Sequence, residues 1–218
     1  MIVKELRQYI RQMLLTEAMK MPSDLSDSMY VLIEDTFKGY FEITIIDYAE
    51  PYPQDGEIAQ LQVKKSRLPC DNAWEIVGAG AQIDGFGPLV YDIAMEYVGS
   101  EGLMCDRSSV SEEAARVWEY YLNSRSDVRA VQLDHHNKPF VTPSDKSDDC
   151  DGYYTLARHT DRDLAVGFNP NNSDHRNKWM THWSTKKFIK TSGTPIIDEL
   201  RELKLLYYDR EDVGQFYT

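Results

Sequence analysis

A glycine-rich loop is the part of the sequence whose residue types and spacing best suit chemistry. The loop Gln82-Ile83-Asp84-Gly85-Phe86-Gly87 follows a predicted strand and precedes a predicted helix. Glycine leaves room for a ligand beside the backbone, and the free N–H groups and dipole of a helix N-terminus favour a bound anion such as pyrophosphate. The alternative is a tight strand-to-helix turn that needs glycine only for packing, and the spacing alone favours neither.

Two other phosphate-binding motifs do not fit this stretch. A Walker loop requires a Gly-Lys-Ser/Thr triplet after its first glycine, and no such triplet follows here. A dinucleotide-binding fingerprint requires a third glycine at the position of Ile83, counting from Gly78 and Gly80. A pyrophosphate site at this loop would therefore belong to a different class.

The motif Gln82-x-x-Gly85-x-Gly87 resembles the Gln/Arg-x-x-Gly-x-Gly/Ala motif of the GNAT N-acetyltransferases. In that family the loop binds the pyrophosphate of acetyl-CoA. The resemblance therefore implies acetyl-CoA as the cofactor, with Gln82, Ile83, Asp84, Gly85, Phe86 and Gly87 as its binding residues. The predicted strand order and the segment Ser111…Ala114…Trp118 also resemble the family, and the resemblance covers roughly residues 30–133.

Two residues are the candidates for proton transfer that the resemblance implies. Glu75, on the predicted fourth strand, is the candidate general base, and the alternative is a solvent-facing strand carboxylate. The family's tyrosine, often the general acid, falls on Trp118, whose indole cannot supply that proton. Tyr121 is then the candidate acid, with Tyr120 as the alternative, if the helix register differs.

The pair Asp106 and Arg107 is the candidate substrate-binding site. Arg107 is suited to bind a carboxylate or a phosphate, and Asp106 is suited to orient the guanidinium. The alternative is a salt bridge that caps the turn after the fifth predicted strand.

We predict no metal site from the acidic and cysteine-containing segments. The segment 145–152 has the start of a calcium loop, but Arg158 stands where a bidentate Glu is required, so a solvated acidic turn is predicted. Cys70, Cys105 and Cys150 lie far apart and lack the paired spacing of structural zinc sites. Their number and spacing favour a reducing compartment.

The charge of the chain narrows the classes of partner. Its 218 residues carry a formal net charge of −12, and such an acidic surface repels phosphate backbones, so we expect no nucleic acid. No apolar run approaches the roughly 20 residues that cross a bilayer, so we expect no membrane. Residues 21–151 hold most of the negative charge, which favours a cationic acceptor such as a small-molecule amine or a basic protein.

The predicted elements that position these residues follow the order β-β-β-β-α-β-α-β after an N-terminal helix. This order predicts a mixed α/β (α+β) fold with a GNAT-like central sheet flanked by helices. We expect an amphipathic helix within 1–20, a core at 21–134 and an extension at 135–218. The predicted strands are 30–34, 40–46, 58–63, 73–81, 102–105 and 128–133, and the predicted helices are 3–19, 88–98, about 111–123 and about 194–206.

The N-terminus carries a second resemblance. A basic amphipathic segment that ends in Leu15-Thr16-Glu17 is similar to the capsid-targeting peptides of tailed phages, whose prohead proteases cut after Leu/Ile-x-Glu. The whole chain also resembles phage-encoded GNAT-like proteins with such a leader. This implies capsid or scaffold proteins as partners of residues 1–20, cleavage after Glu17, and a location in the host cytoplasm or the virion.

Two functional hypotheses follow from these observations. The first is an acyl-CoA-dependent N-acetyltransferase that acts on an unknown amine. The alternative is a non-catalytic GNAT-like protein that serves as a virion component or binds a host protein, and Trp118 at the tyrosine position motivates it. An effector that mimics nucleic acid by its acidity is a weaker third hypothesis.

Overall fold

The structure is a computed structural model that describes residues 19–49, 56–66, 73–106, 109–135, 138–150 and 168–208. The predicted N-terminal helix up to residue 18, with its Leu15-Thr16-Glu17 sequence, lies outside the described residues, and so does Arg107. Met19 and Lys20 are described and are not helical.

The described residues contain ten strands and four α-helices. The strands are β1 (Met29–Phe37), β2 (Tyr40–Asp47), β3 (Glu57–Lys65), β4 (Trp74–Ala81), β5 (Leu103–Met104), β6 (Val128–Gln132), β7 (Asp134–His135), β8 (Asp149–Cys150), β9 (Lys186–Lys190) and β10 (Leu206–Tyr207). The helices are α1 (Phe86–Val98), α2 (Glu112–Ser124), α3 (Ser173–Thr181) and α4 (Pro195–Glu202). The predicted mixed α/β class is confirmed.

Eight strands form one mixed sheet in the order β10-β1-β2-β3-β4-β5-β9-β6. The hairpin β1–β2 is antiparallel, with Val31 opposite Ile45. The two-residue strand β5 pairs in parallel with Trp74 and Glu75 at the start of β4. Strand β9 is antiparallel to both of its neighbours, and β7 and β8 form a separate parallel pair.

The chain divides into two compact units. The described residues of unit 1 fall within 1–63, 78–97 and 193–218, and those of unit 2 fall within 64–77 and 98–192. Unit 1 thus holds α1 up to Tyr97, α4 and the strands β1, β2 and β10, and unit 2 holds α2, α3 and the strands β5 to β9. Strands β3 and β4 contribute residues to both units.

The core of unit 1 contains one face of its strands together with helices α1 and α4. Phe41, Ile43 and Ile45 alternate along β2 and are almost fully buried, as the two-residue period of a strand requires. The ring centroid of Phe41 lies 4.8 Å from that of Tyr97 on α1. Helix α1 is apolar at most of its positions, so it is buried on most of its surface.

The core of unit 2 forms around helix α2. The Ser111 side chain accepts a hydrogen bond from the Ala114 N–H at 3.2 Å, so the predicted N-cap is confirmed. Trp118 and Tyr121 project from the buried side of α2 toward Phe188 of β9, with the Trp118 and Phe188 centroids 5.0 Å apart. The sequence did not predict β9.

Candidate functional site

The Gln82–Gly87 loop lies within unit 1 and joins the end of β4 to the start of α1. Residues 79–84, which include the last three residues of β4, are exposed. Gly85 has a φ of +91°, a conformation that glycine adopts at little cost. Helix α1 begins at Phe86, and Pro88 lies in its first turn, where a missing N–H breaks no helical hydrogen bond.

Two backbone N–H groups of this loop already have partners. The Gln82 N–H donates to the Ile58 carbonyl at 2.8 Å, and the Phe86 N–H donates to the Ile83 carbonyl at 3.4 Å. Other N–H groups of the loop have no acceptor among the residues that the structure describes: Ile83, Asp84, Gly85 and Gly87. The Gln82–Gly87 loop therefore offers several N–H donors to an anion, although fewer than the motif alone suggests.

The space around the glycines tests whether packing explains them. A Cβ added at Gly80 meets no atom within 4 Å, and one added at Gly87 meets only the Ala81 Cβ at 3.7 Å. The open space at Gly80 and the 3.7 Å contact at Gly87 both leave room for an ordinary side chain, and neither glycine has a positive φ. Packing among the described residues therefore requires glycine at neither position, so a tight turn accounts for Gly85, with its positive φ, and not for Gly80 or Gly87.

A row of polar side chains lies beside the glycines of β4. The Glu42 carboxylate on β2 accepts hydrogen bonds from the Gln60 Nε2 at 2.7 Å and the Gln62 Nε2 at 3.0 Å, both on β3. The Gln62 Oε1 lies 3.1 Å from the place where a Cβ of Gly78 would stand. We call Glu42, Gln60 and Gln62 the polar row. It lies on the face of β2 opposite Phe41 and Ile43.

Strand β4 contains one more residue than β3 between two of their cross-strand hydrogen bonds. The Ser66 N–H donates to the Ala73 carbonyl at one end, and the Gln82 N–H donates to the Ile58 carbonyl at the other. Between these bonds β3 advances eight residues and β4 advances nine, which is the count of a β-bulge. The extra residue thus lies between Ala73 and Gln82.

The two proton-transfer candidates are both buried in unit 2. Glu75 is 8% exposed, and its Oε2 lies 3.3 Å from the Lys64 Nζ. It is therefore not the solvent-facing carboxylate of the alternative interpretation. Tyr121 is 1% exposed, and its ring lies 6.0 Å from Trp118 and 5.5 Å from the Arg125 guanidinium.

The substrate-binding candidate Asp106 also lies in unit 2. Its Oδ1 accepts a hydrogen bond from the Ser109 N–H at 3.3 Å, which is the contact of a residue that caps a turn. Arg107 lies outside the described residues. The structure thus brings the six cofactor-binding candidates together in unit 1 and places Glu75, Tyr121 and Asp106 in unit 2.

The acidic segment before Cys150 is more buried than predicted. Asp149 is 1% exposed and its Oδ1 has no hydrogen-bond partner, so the prediction of a solvated turn is wrong for this residue. Burial and the neighbouring carboxylates raise the pKa of Asp148. Nevertheless, no three His, Cys, Asp or Glu side chains within the described ranges are grouped to hold a metal ion.

A histidine and a serine in unit 2 resemble a catalytic pair but form a cap. The Ser184 Oγ lies 2.8 Å from the His182 Nδ1, and the Ser184 N–H donates to the same nitrogen at 3.2 Å. Burial lowers the pKa of His182 to about 4, so its ring is neutral at pH 7. Ser184 is fully buried, so the pair stabilises the turn Trp183–Thr185.

Unit 2 also contains an open cleft of about 340 Å³ beside α3. Its lining residues are Phe140, Val141, Ser173, Arg176, Asn177 and Met180. No residue that the sequence singled out as a candidate lines this cleft.

Comparisons with known proteins identify no family for this chain. No family model, curated protein or solved structure matches the chain. Among the residues that the structure describes, no helix is long and apolar enough to cross a membrane.

The sequence missed the polar row because its three residues come from two strands and form no linear motif. The available signal was alternation, since polar residues interrupt the apolar runs of β2 and β3 at every second position. That signal is typical of any strand with one face toward water, so it did not single out Glu42.

Proposed function

We propose that the protein is an acyl-CoA-dependent N-acetyltransferase whose Gln82–Gly87 loop holds the pyrophosphate of acetyl-CoA. The open space at Gly80 and Gly87 is the observation that carries the proposal. Glycine there serves no packing need among the described residues, whereas it leaves the backbone open to a ligand. The exposed corner and its N–H groups without acceptors support the same conclusion.

In this mechanism the chain contributes mainly binding and positioning. The N–H groups of the loop and the N-terminal dipole of α1 would hold the anionic part of the cofactor. Acetyl-CoA would supply the acetyl group as a thioester: the amine nitrogen would bond to the acetyl carbon, the C–S bond would break, and CoA would leave as the thiol. Holding the two reactants together accounts for a large share of the rate without any protein nucleophile.

The exposure of the candidate side chains decides how proton transfer is assigned. Glu75 and Tyr121 remain the candidate base and acid, and Asp106 and Arg107 remain the candidate substrate-binding pair. Because Glu75 and Tyr121 are buried among protein atoms, we favour water as the group that takes the proton of the amine.

Calorimetry with acetyl-CoA on wild-type protein and on Gly87→Ala tests the proposal. Gly87 lies in the first turn of α1, so alanine should leave the melting temperature unchanged or slightly raise it. The added methyl group would occupy the ligand side of the loop, and we expect acetyl-CoA affinity to fall at least tenfold. Glu119→Ala, at an exposed position of α2, is the matched helical control and should bind like wild type.

Two results would overturn the proposal. One is an absence of heat and of thermal shift for wild-type protein at millimolar acetyl-CoA. The other is equal affinity of wild type and Gly87→Ala, because the loop would then not contact the cofactor.

The second candidate function is a non-catalytic GNAT-like protein that acts as a phage virion component or binds a host protein. The specific observation in its favour is that Trp118, at the family's tyrosine position, and Tyr121 are both core residues of unit 2. Under this proposal residues 1–20 would contact capsid or scaffold proteins. Mass spectrometry of purified particles tests it, and absence of the protein from particles would defeat the virion version.

A further inference from the structure

The open cleft of unit 2 is lined on one side by a single face of helix α3. The lining residues Ser173, Arg176, Asn177 and Met180 stand at positions i, i+3, i+4 and i+7 of the helix, so they lie side by side on its surface. Trp179 projects from a different face and is 1% exposed. Helix α3 is therefore anchored to unit 2 through Trp179, and its cleft face remains open to a ligand.

The other lining residues, Phe140 and Val141, are held in place by a buried carboxylate. Asp134 is fully buried and accepts hydrogen bonds from the N–H groups of Phe140 at 2.8 Å, Val141 at 2.8 Å and Thr142 at 2.7 Å. Hydrogen bonds to a charged acceptor are stronger than those between neutral groups. Because this part of the cleft is already fixed, it loses little freedom when a ligand binds.

Arg176 gives the cleft a positive charge that is not neutralised locally. Its guanidinium makes no ion pair and no hydrogen bond with the residues that the structure describes. A second cation lies nearby, since the Lys186 Nζ donates to the Met180 carbonyl at 2.7 Å. Residues 168–192 contain five lysines and arginines and one acidic residue, although the net charge of the whole chain is −12. This local excess of positive charge favours an anion.

Met180 gives the same cleft an apolar part. It is 42% exposed, and within the described part of unit 2 no other large apolar side chain is as exposed. Phe140 and Val141 are half-buried, and the Phe140 ring centroid lies 5.5 Å from that of Phe168. Apolar side chains around a few placed polar groups are typical of small-molecule sites.

We propose that this cleft binds a small organic anion, which has one carboxylate or phosphate group and an apolar body about the size of one aromatic ring. The planar fork of Arg176 matches either anionic group, and the Ser173 hydroxyl and the Asn177 amide are further donors. The volume of about 340 Å³ is near the lower end of the roughly 300–1,000 Å³ of small-molecule sites, which sets the size of the ligand.

The inference goes beyond the proposed function and does not depend on it. No residue of the Gln82–Gly87 loop lines the cleft, and the loop belongs to unit 1 whereas the cleft belongs to unit 2. The test therefore uses no acetyl-CoA, and its result leaves the proposed function unchanged.

Nuclear magnetic resonance titrations of the isotope-labelled full chain with two probes test the inference. Phenylacetate carries a carboxylate and phenyl phosphate carries a phosphate, each on one ring, and the ionic strength is held constant. We expect at least one probe to shift the amide resonances of Val141 and Asn177. Arg176→Gln should weaken that binding at least about fivefold. Arg176→Lys keeps the charge without the planar fork and should recover part of the affinity.

Two further variants separate the charge of the cleft from its apolar part. Arg129→Gln is the matched control, because Arg129 is an exposed arginine of β6 in unit 2 that does not line the cleft, and it should bind both probes like wild type. Met180→Ala keeps the charge and the helix, and should weaken the ring-bearing probes at least about twofold. All these positions are exposed, so the melting temperatures should stay close to that of wild type.

The outcomes decide each part of the inference. Binding of only one of the two probes supports it and identifies the anionic group. It is overturned if neither probe binds at millimolar concentration, or if wild type and Arg176→Gln bind equally. Equal losses in Arg176→Gln and Arg129→Gln would also overturn it, because net charge rather than the cleft would then attract the probe. Inorganic phosphate that binds as tightly as phenyl phosphate would contradict the apolar part.

Discussion

At the scale of single residues, Asp127 illustrates how a charge fixes a turn. The Arg125 guanidinium donates to both oxygens of Asp127, at 2.7 and 2.6 Å, and the Lys190 Nζ lies 3.0 Å from its Oδ2. Hydrogen bonding to Arg125 is the main reason why the pKa of Asp127 lies well below its usual value. The ion pair between Asp127 and Lys190 joins the start of β6 to the end of β9.

The lowered pKa predicts how stability depends on pH. Because the carboxyl of Asp127 is a stronger acid in the folded state, its contribution is fully present above the unfolded value of 3.8 and is lost as pH falls below it. Asp127→Asn should therefore lower the free energy of unfolding at pH 7 by about 1–2 kcal/mol. The difference from wild type should shrink progressively below about pH 4.

Thermal unfolding at pH 7 and at about pH 3 measures this effect. Asp27→Asn is the matched control, since Asp27 is exposed, and its stability should follow that of wild type at both pH values. A constant difference between Asp127→Asn and wild type across this pH range would contradict the assignment.

At the scale of elements, one carboxylate joins α1 to α4 in unit 1. Glu96 on α1 accepts hydrogen bonds from the N–H groups of Ile196 at 3.3 Å and Ile197 at 2.9 Å, at the start of α4. These N–H groups have no partner within α4, and Thr194, at the N-cap position, makes no side-chain cap. Glu96 is 4% exposed, so the cap is supplied from a different helix.

This arrangement predicts that Glu96 stabilises the fold of unit 1. Glu96→Ala leaves two buried donors without an acceptor and should lower the free energy of unfolding by about 2–4 kcal/mol. Glu96→Gln keeps one acceptor oxygen and should cost clearly less. Denaturant unfolding followed by circular dichroism gives both values, with Glu199→Ala on α4 as a control. Equal costs for Ala and Gln would contradict the cap, because an acceptor oxygen kept by Gln would then give no stabilisation.

The elements also mark where sequence reasoning succeeded and where it failed. Strands β1 to β4 and helix α1 were predicted from apolar periodicity and turn residues, and helix α2 was predicted also from the Ser111 cap. Strand β9 and helix α3 were missed. The sequence Lys-Lys-Phe-Ile-Lys of β9 does not alternate, yet burial in the sheet lowers the pKa of both Lys186 and Lys187. Helix α3 buries only Trp179, so it has no apolar stripe to detect.

The candidate site also has a part that the sequence could predict and a part that it could not. The Gln82–Gly87 loop could be predicted because its residues are consecutive and flanked by a recognisable strand and helix. The polar row and the burial of Glu75 could not, because they depend on which strands lie next to each other and on which face of a strand is covered. Both are properties of tertiary packing rather than of local sequence.

At the scale of the whole molecule, the net charge of −12 predicts two salt effects of opposite sign. Repulsion among excess like charges opposes the compact state, so screening them should stabilise the fold. Screening also weakens the attraction between an acidic surface and a cation, so a cationic acceptor such as spermidine should bind less tightly. Because the chain carries excess negative charge, added salt should raise its melting temperature and lower its affinity for a cationic acceptor.

Melting curves and spermidine titrations at about 20 and about 300 mM sodium chloride check both effects on one preparation. We expect the melting temperature to rise by a few degrees and the spermidine affinity to fall several-fold. Under the proposed function acetyl-CoA is an anion that binds beside an acidic surface, so its affinity should be unchanged or rise with salt. A spermidine affinity that does not change with salt would contradict an acidic acceptor site. A loss of acetyl-CoA affinity with salt would indicate that basic side chains hold the cofactor, and would contradict binding by the backbone N–H groups of the loop alone.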